Sequence, residues 1–163
     1  MKAKQTGFTL IELIVVIIIL GILAAAALPR YAALQTQARI AKINGALGAA
    51  KGAAALAHGA CLVAIPPCGA TVAMEGMNIN MTFQYPTAAI TGGLGILDAA
   101  GITGTAAGTS DGYIATVAGT TLTLSVPGAQ TPGNCSFTYT QPAALGSAPT
   151  FTLNALVQTT GCQ

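Results

Sequence analysis

The sequence is poor in charge. Only 6% of its residues are Asp, Glu, Lys or Arg, while 53% are hydrophobic; a soluble domain usually carries about a quarter charged. It has no Trp, one His (His58) and four acids (Glu12, Glu75, Asp98, Asp111) among 163 residues. Each shortage excludes something. Acids so scattered cannot pair for general acid–base work, and a lone His without a neighbouring Ser, Cys or Asp gives no triad pattern. There is no P-loop and no CxxC or other metal-ligand spacing, so the chain is read as non-enzymatic, with no cofactor and no metal. All six basic residues (Lys2, Lys4, Arg30, Arg39, Lys42, Lys51) lie in the first 51 positions. A nucleic-acid footprint needs clustered Lys and Arg, so direct nucleic-acid binding is not expected of the C-terminal two-thirds. Beyond the N-terminal run, no apolar stretch is long enough to span a bilayer.

That one run is what the sequence does have. Residues Phe8 to Leu28 read FTLIELIVVIIILGILAAAAL, with only Thr9 and Glu12 polar. As a helix it would measure roughly 30 Å, the thickness of a bilayer core. Lys2 and Lys4 precede it, which places that end in the cytoplasm and the remainder outside. Three readings compete: a secretory signal peptide ending near Ala25–Ala27, a plain signal anchor, or a short leader cut before the run so that the run is kept.

Glu12 separates them. A carboxylate inside a membrane helix costs about 2.5 kcal/mol or more and points to a functional partner. A signal peptide gains nothing from one. Cutting after Gly7 would create an α-amino group on Phe8, four residues before Glu12. Amine and carboxylate attract strongly in a low-dielectric setting. The pair can meet within one chain, or between chains, where it would fix the stagger of packed helices.

The stretch Lys4-Gln5-Thr6-Gly7-Phe8-Thr9-Leu10-Ile11-Glu12 resembles the class III leader of type IV prepilins. The resemblance implies that Gly7 closes a leader of residues 1–7 and that prepilin peptidase cuts between Gly7 and Phe8. It also implies that Phe8 is N-methylated and that Glu12 is the assembly glutamate. The implied partners are further copies in a helical filament, the peptidase, the inner-membrane assembly machinery, and the membrane itself before assembly. The implied location is the inner membrane for the precursor and an extracellular pilus for the product.

The helical pattern continues past Leu28. Ala33, Thr36, Ile40, Ile43, Leu47, Ala50 and Ala54 recur at spacings of 3 and 4, a stripe suited to packing on a sheet. Gln35, Arg39 and Lys42 lie opposite, expected to face solvent or neighbouring copies. Residues 8–28 are thus expected to form a hydrophobic transmembrane and assembly segment and 29–58 the amphipathic half of one helix. Gly59 would cap it and His58 would sit at its negative dipole end. At about 1.5 Å per residue such a helix would reach about 76 Å, leaving its hydrophobic half protruding unless lipid or other copies cover it. Pro29 cannot donate to the carbonyl of Ala25, so a bend is expected. Gly21 is a second weak point. In type IV pilins the matching Gly-to-Pro stretch loses helical structure in some fibres, which implies that Gly21 to Pro29 either unwinds on assembly or simply kinks. Gly45, Gly48 and Gly52 each cost up to ~1 kcal/mol in a helix, and close approach of another backbone is the expected compensation.

Residues 59–163 read as a β-rich head. A loop is expected over 59–76, a half-buried strand over 77–85 ended by Pro86, and a short helix over 88–98. Tyr113–Val117 and Thr121–Val126 form a hairpin, Cys135–Thr140 alternates, and 150–157 is the last strand. The expected fold class is α+β: a long N-terminal helix packed on an antiparallel sheet of four or five strands, the pilin fold by resemblance. Four cysteines (Cys61, Cys68, Cys135, Cys162) beyond a membrane-directing segment read as two disulfides, with three connectivities open. Proximity favours Cys61 with Cys68, a closure worth about 2.5 kcal/mol. Cys135 and Cys162 enclose the last hairpin, closure about 3.5 kcal/mol; that layout resembles the disulfide-bonded C-terminal region of type IVa pilins. Gln84-Tyr85-Pro86-Thr87 followed by an expected Gly-rich helix is similar to mannose-sensitive haemagglutinin-type pilins.

The function so implied is that of a major pilin supporting adhesion or twitching motility. Two alternatives share parts of the pattern. A type II secretion pseudopilin has the same leader but typically a calcium-binding loop, for which Asp98 and Asp111 are poor material. A monomeric surface-binding module on a signal anchor would keep its N-terminus and form no filament.

Overall fold

The computed structural model describes residues 7–64, 68–102, 112–157 and 160–163. The chain falls into two compact units, Met1–Gln35 and Thr36–Gln163. One helix, α1 (Leu10–Val63), provides nearly all of the first and opens the second. In the first unit every described residue is exposed: the Ile, Leu and Val of this segment have no protein to bury against.

In the second unit α1 changes character. Ile43, Ala46, Ala50, Ala53, Ala54, Ala57 and Cys61 are its buried residues, spaced at three and four so that they line one face. All but one are small, which lets a sheet come close to the helix axis while Ala keeps helix propensity at its highest. The expected stripe is largely this face: Ile43, Ala50 and Ala54 are buried, Ile40 and Leu47 half-buried, and Ala33 is exposed. The helix also runs further than expected. Gly59 lies inside it, and with open space where a Cβ would sit nothing forces the chain to turn there.

Among the described residues seven strands follow, in two antiparallel sheets. β1 (Thr71–Met74), β2 (Met77–Thr82) and β3 (Tyr85–Pro86) form the first; β4 (Ile114–Ala118), β5 (Thr121–Ser125), β6 (Ser136–Thr140) and β7 (Thr150–Leu153) form the second. The α+β class is as expected, with two sheets rather than one of four or five strands. In the larger sheet, Leu122 pairs with Tyr139 and Leu124 with Phe137 across β5 and β6, while β7 sets Phe151 and Leu153 beside Tyr139 and Phe137. Leu122, Leu124, Phe137 and Tyr139 are buried and pack in one cluster with Ile43, Ala46 and Ala50 of α1. The other face carries hydroxyls: Thr116, Thr123, Thr138 and Thr152 lie in register across all four strands. Threonine thus solvates a surface that has almost no charge. Val72, Ile79 and Met81 of the smaller sheet form a second cluster with Ala57 and Cys61 of α1.

Four expectations change inside the head. β1 occupies part of the expected 59–76 loop. The expected strand over 77–85 breaks after Thr82, because Phe83 (φ 50°) and Gln84 (φ 69°) are both left-handed and form the tight turn joining β2 to β3. A two-residue turn preserves the odd–even alternation, so periodicity continues straight through it. The expected helix over 88–98 shrinks to α2 (Ile96–Ala99). Asp98 explains the loop before it: its carboxylate accepts hydrogen bonds from the Gly92 N–H at 2.9 Å and the Gly95 N–H at 3.2 Å. The last strand ends at Leu153 rather than 157, and a turn follows.

Candidate processing and assembly site

The site is the start of α1. Gly7 is exposed and outside regular structure, and Phe8 is 84% exposed, so the peptide bond between them stands on open, irregular backbone. Residues 1–6, the rest of the expected leader, lie outside the described residues.

The next four residues close the helix end. Thr9 precedes Leu10, the first helical residue, and Glu12 is the third. Glu12 Oε2 accepts hydrogen bonds from the Thr9 N–H at 2.9 Å and from the Thr9 hydroxyl at 2.7 Å. The Glu12 N–H donates in turn to Thr9 Oγ1 at 3.3 Å. This reciprocal arrangement is a capping box, and it satisfies backbone donors that a helix start leaves orphaned. The pattern Thr-x-x-Glu before an apolar run is its sequence signature, so the role of Thr9 was legible in the sequence. The finding also refines the chemistry of Glu12. In the uncut chain its carboxylate is held by Thr9, and the Phe8 nitrogen is an amide rather than an amine. Only cleavage after Gly7 would supply a competing cation.

Gly21 and Pro29 both lie inside α1, exposed, and the helix is unbroken across them. Pro29 has no N–H for the carbonyl of Ala25, and no residue packs on Gly21 within 4 Å. The segment holds its helical form with no tertiary contact to support it. α1 is long and apolar enough to cross a membrane.

The second unit shows how the head is fastened. Disulfides join Cys61 to Cys68 and Cys135 to Cys162. Arg39 and Lys42, expected to face outward, instead tie α1 to the head. The Arg39 guanidinium donates to the Cys162 carbonyl at 3.2 Å. Lys42 Nζ donates to the Gly112 carbonyl at 3.1 Å and lies 4.6 Å from the centroid of the Tyr113 ring. Their long stems reach around the helix, which a residue-by-residue wheel cannot foresee. His58 also has partners: Nδ1–H donates to the Gln84 carbonyl at 3.0 Å, and the ring stacks on Tyr85 at 4.2 Å, steadying the left-handed turn. The expected close approach at Gly45, Gly48 and Gly52 does not come from the described residues, none of which places an atom within 4 Å of where their Cβ would be. Among the described residues no group of three His, Cys, Asp or Glu side chains is placed to hold a metal.

Comparison with known proteins finds similarity at this same end of the chain. The family model for the prokaryotic N-terminal methylation motif matches residues 2–28. Fimbrial protein EcpB of Eikenella corrodens is 53% identical over 58 residues, covering 34% of this chain and 36% of that one. The type IV narrow pilus major component PilA5 of Thermus thermophilus is 49% identical over 57 residues, 35% of this chain and 47% of that one. The type IV major alpha-pilin of Moraxella bovis is 51% identical over 47 residues, 29% of this chain and 30% of that one. The chain thus spans less than half the length of the curated relatives it matches. No solved structure matches it. Over its N-terminal third the chain is similar to these pilin and fimbrial proteins, and residues 2–28 carry the prokaryotic N-terminal methylation motif.

Proposed function

We propose that this chain is the repeating subunit of a type IV pilus filament used in adhesion or twitching motility. The observation that carries the reading is an apolar helix wholly exposed over its first unit and started by a single acid. Such a surface demands a greasy partner, first lipid and then other copies of itself. In this reading the precursor sits in the inner membrane with residues 1–7 in the cytoplasm. Prepilin peptidase removes them, and Phe8 becomes the methylated N-terminus. The assembly machinery then draws the helix out of lipid and into the fibre, leaving the head outside.

Glu12 has two successive roles in this scheme. It caps α1 in the precursor. In the fibre it meets the new amine on Phe8, of its own chain or a neighbour's, and selects the axial stagger. Gly21 to Pro29, helical without tertiary support, is the segment able to extend under load.

Mass spectrometry of sheared surface fibres tests the scheme. A mature chain starting at methylated Phe8 is the expected result, and fibres built from chains retaining Met1 would refute it. Glu12→Ala should be cut normally yet give few fibres by electron microscopy. Abundant fibres from that variant would remove the pairing role.

A further inference from the structure

Among the described residues the second unit has five charged side chains (Arg39, Lys42, Lys51, Glu75 and Asp98), and three of them are engaged. Arg39 donates to the Cys162 carbonyl and Lys42 to the Gly112 carbonyl. Asp98 accepts from two backbone N–H groups. Among the described residues two charged side chains of the second unit remain: Lys51 on α1 and Glu75 at the tip of the β1–β2 hairpin. Both are exposed. Neither has a hydrogen bond or an ion pair among the described residues, and Lys51 Nζ lies 6.0 Å from the centroid of the Phe151 ring.

The position of Glu75 is unusual for its residue type. With Gly76 (φ 81°) it forms the turn between Met74 and Met77, and its own φ is 47°. Such turns favour Asn, Asp or Gly at that place, and a Glu there carries a local conformational cost. The turn itself therefore does not account for the carboxylate. Lys51 stands beside Gly48 and Gly52, both exposed with no atom of the described residues within 4 Å of a built Cβ, so those two positions add no side chain beside it.

We propose that these two charges meet between copies: the β1–β2 hairpin tip of one subunit docks on the α1 face of the next, with Glu75 on Lys51. Filaments grow through contacts between two different patches of the same protein, and opposite lone charges on a nearly uncharged surface give such a contact its register. Arg30 is also exposed, but it belongs to the apolar first unit at the end of the membrane run, where lipid headgroups are its natural partner. The inference rests on the filament reading above.

Charge exchange in the full chain tests it. Glu75→Lys and Lys51→Glu should each reduce sheared fibre yield several-fold, the effect growing at low salt where like charges repel further. The double variant K51E/E75K should recover most of the yield. Glu75→Gln and Lys51→Gln should fall between wild type and the reversals, with unchanged thermal melting of the detergent-solubilised chain. Normal yield from both reversals would overturn the contact. So would a double variant no better than the singles, or rescue of Glu75→Lys by Arg30→Glu instead of Lys51→Glu. If the unaltered chain makes no fibres, the filament reading falls too; wild-type fibres indifferent to the exchange remove only this contact.

Discussion

The two units of this chain use apolar residues in opposite ways. Before Gln35, Ile, Leu and Val fill the helix and none is buried. After Thr36, the helix buries mostly Ala and leaves the large side chains to the sheets: Leu122, Leu124, Phe137 and Tyr139 meet it there. The first arrangement is stable only where something outside the chain removes water from it. The second completes its own interior. Hydrophobicity alone therefore does not tell a core from an interface; side-chain size and what faces it do.

The comparison can be broken at several points. Phe137 is buried and central to the larger sheet, so Phe137→Ala should cost the head about 3–5 kcal/mol, read as a lower thermal midpoint. Ile17→Ala, at a site 58% exposed in the first unit, should leave that midpoint unchanged; an equal loss would abolish the distinction. The same interior has an alkaline signature. Burial, with Tyr85 nearby, pushes the Tyr139 phenol above its ordinary value of 10.0. Folding thus favours the neutral phenol. Its contribution is complete below pH 10.0 and is lost as pH rises beyond that value, where the unfolded phenol ionises first. Wild type should lose stability more steeply above that pH than Tyr139→Phe; identical slopes would contradict the burial argument.

Cys162→Ser opens the loop closed by Cys135 and should cost about 3.5 kcal/mol. Loss of regular protection near the C-terminus in hydrogen exchange would locate the effect. Arg39→Met removes the bond to the Cys162 carbonyl and should cost about 1.5–3 kcal/mol. If its melting matches wild type, the guanidinium is a surface charge after all. Thr9→Ala acts on the first unit alone, costing helix stability there about 1 kcal/mol. Faster amide exchange over the first turn of α1 in detergent, with an unaltered head midpoint, is the expected pattern.

Much of this was legible. The apolar run, its acid at Glu12, the β5–β6 alternation and the α+β class follow from composition and period, because each element writes its own spacing into the chain. Thr9 was equally legible through the Thr-x-x-Glu pattern. Less legible was anything that depends on a second element. Phe83 and Gln84 turn the chain without disturbing its alternation. Arg39 and Lys42 look solvent-facing on a helix wheel, and their reach to the Cys162 and Gly112 carbonyls depends on where distant backbone comes to rest.

The sequence by itself determined that α1 would form, that its first stretch needs a non-aqueous partner, and where the chain would be processed if the motif is used. These are local properties, set by residue type and spacing within a few turns. Tertiary structure alone decided that the head has two sheets, that α1 continues to Val63, and which charges are consumed inside and which remain outside. Those outcomes depend on contacts between residues far apart in sequence, whose geometry no local period encodes.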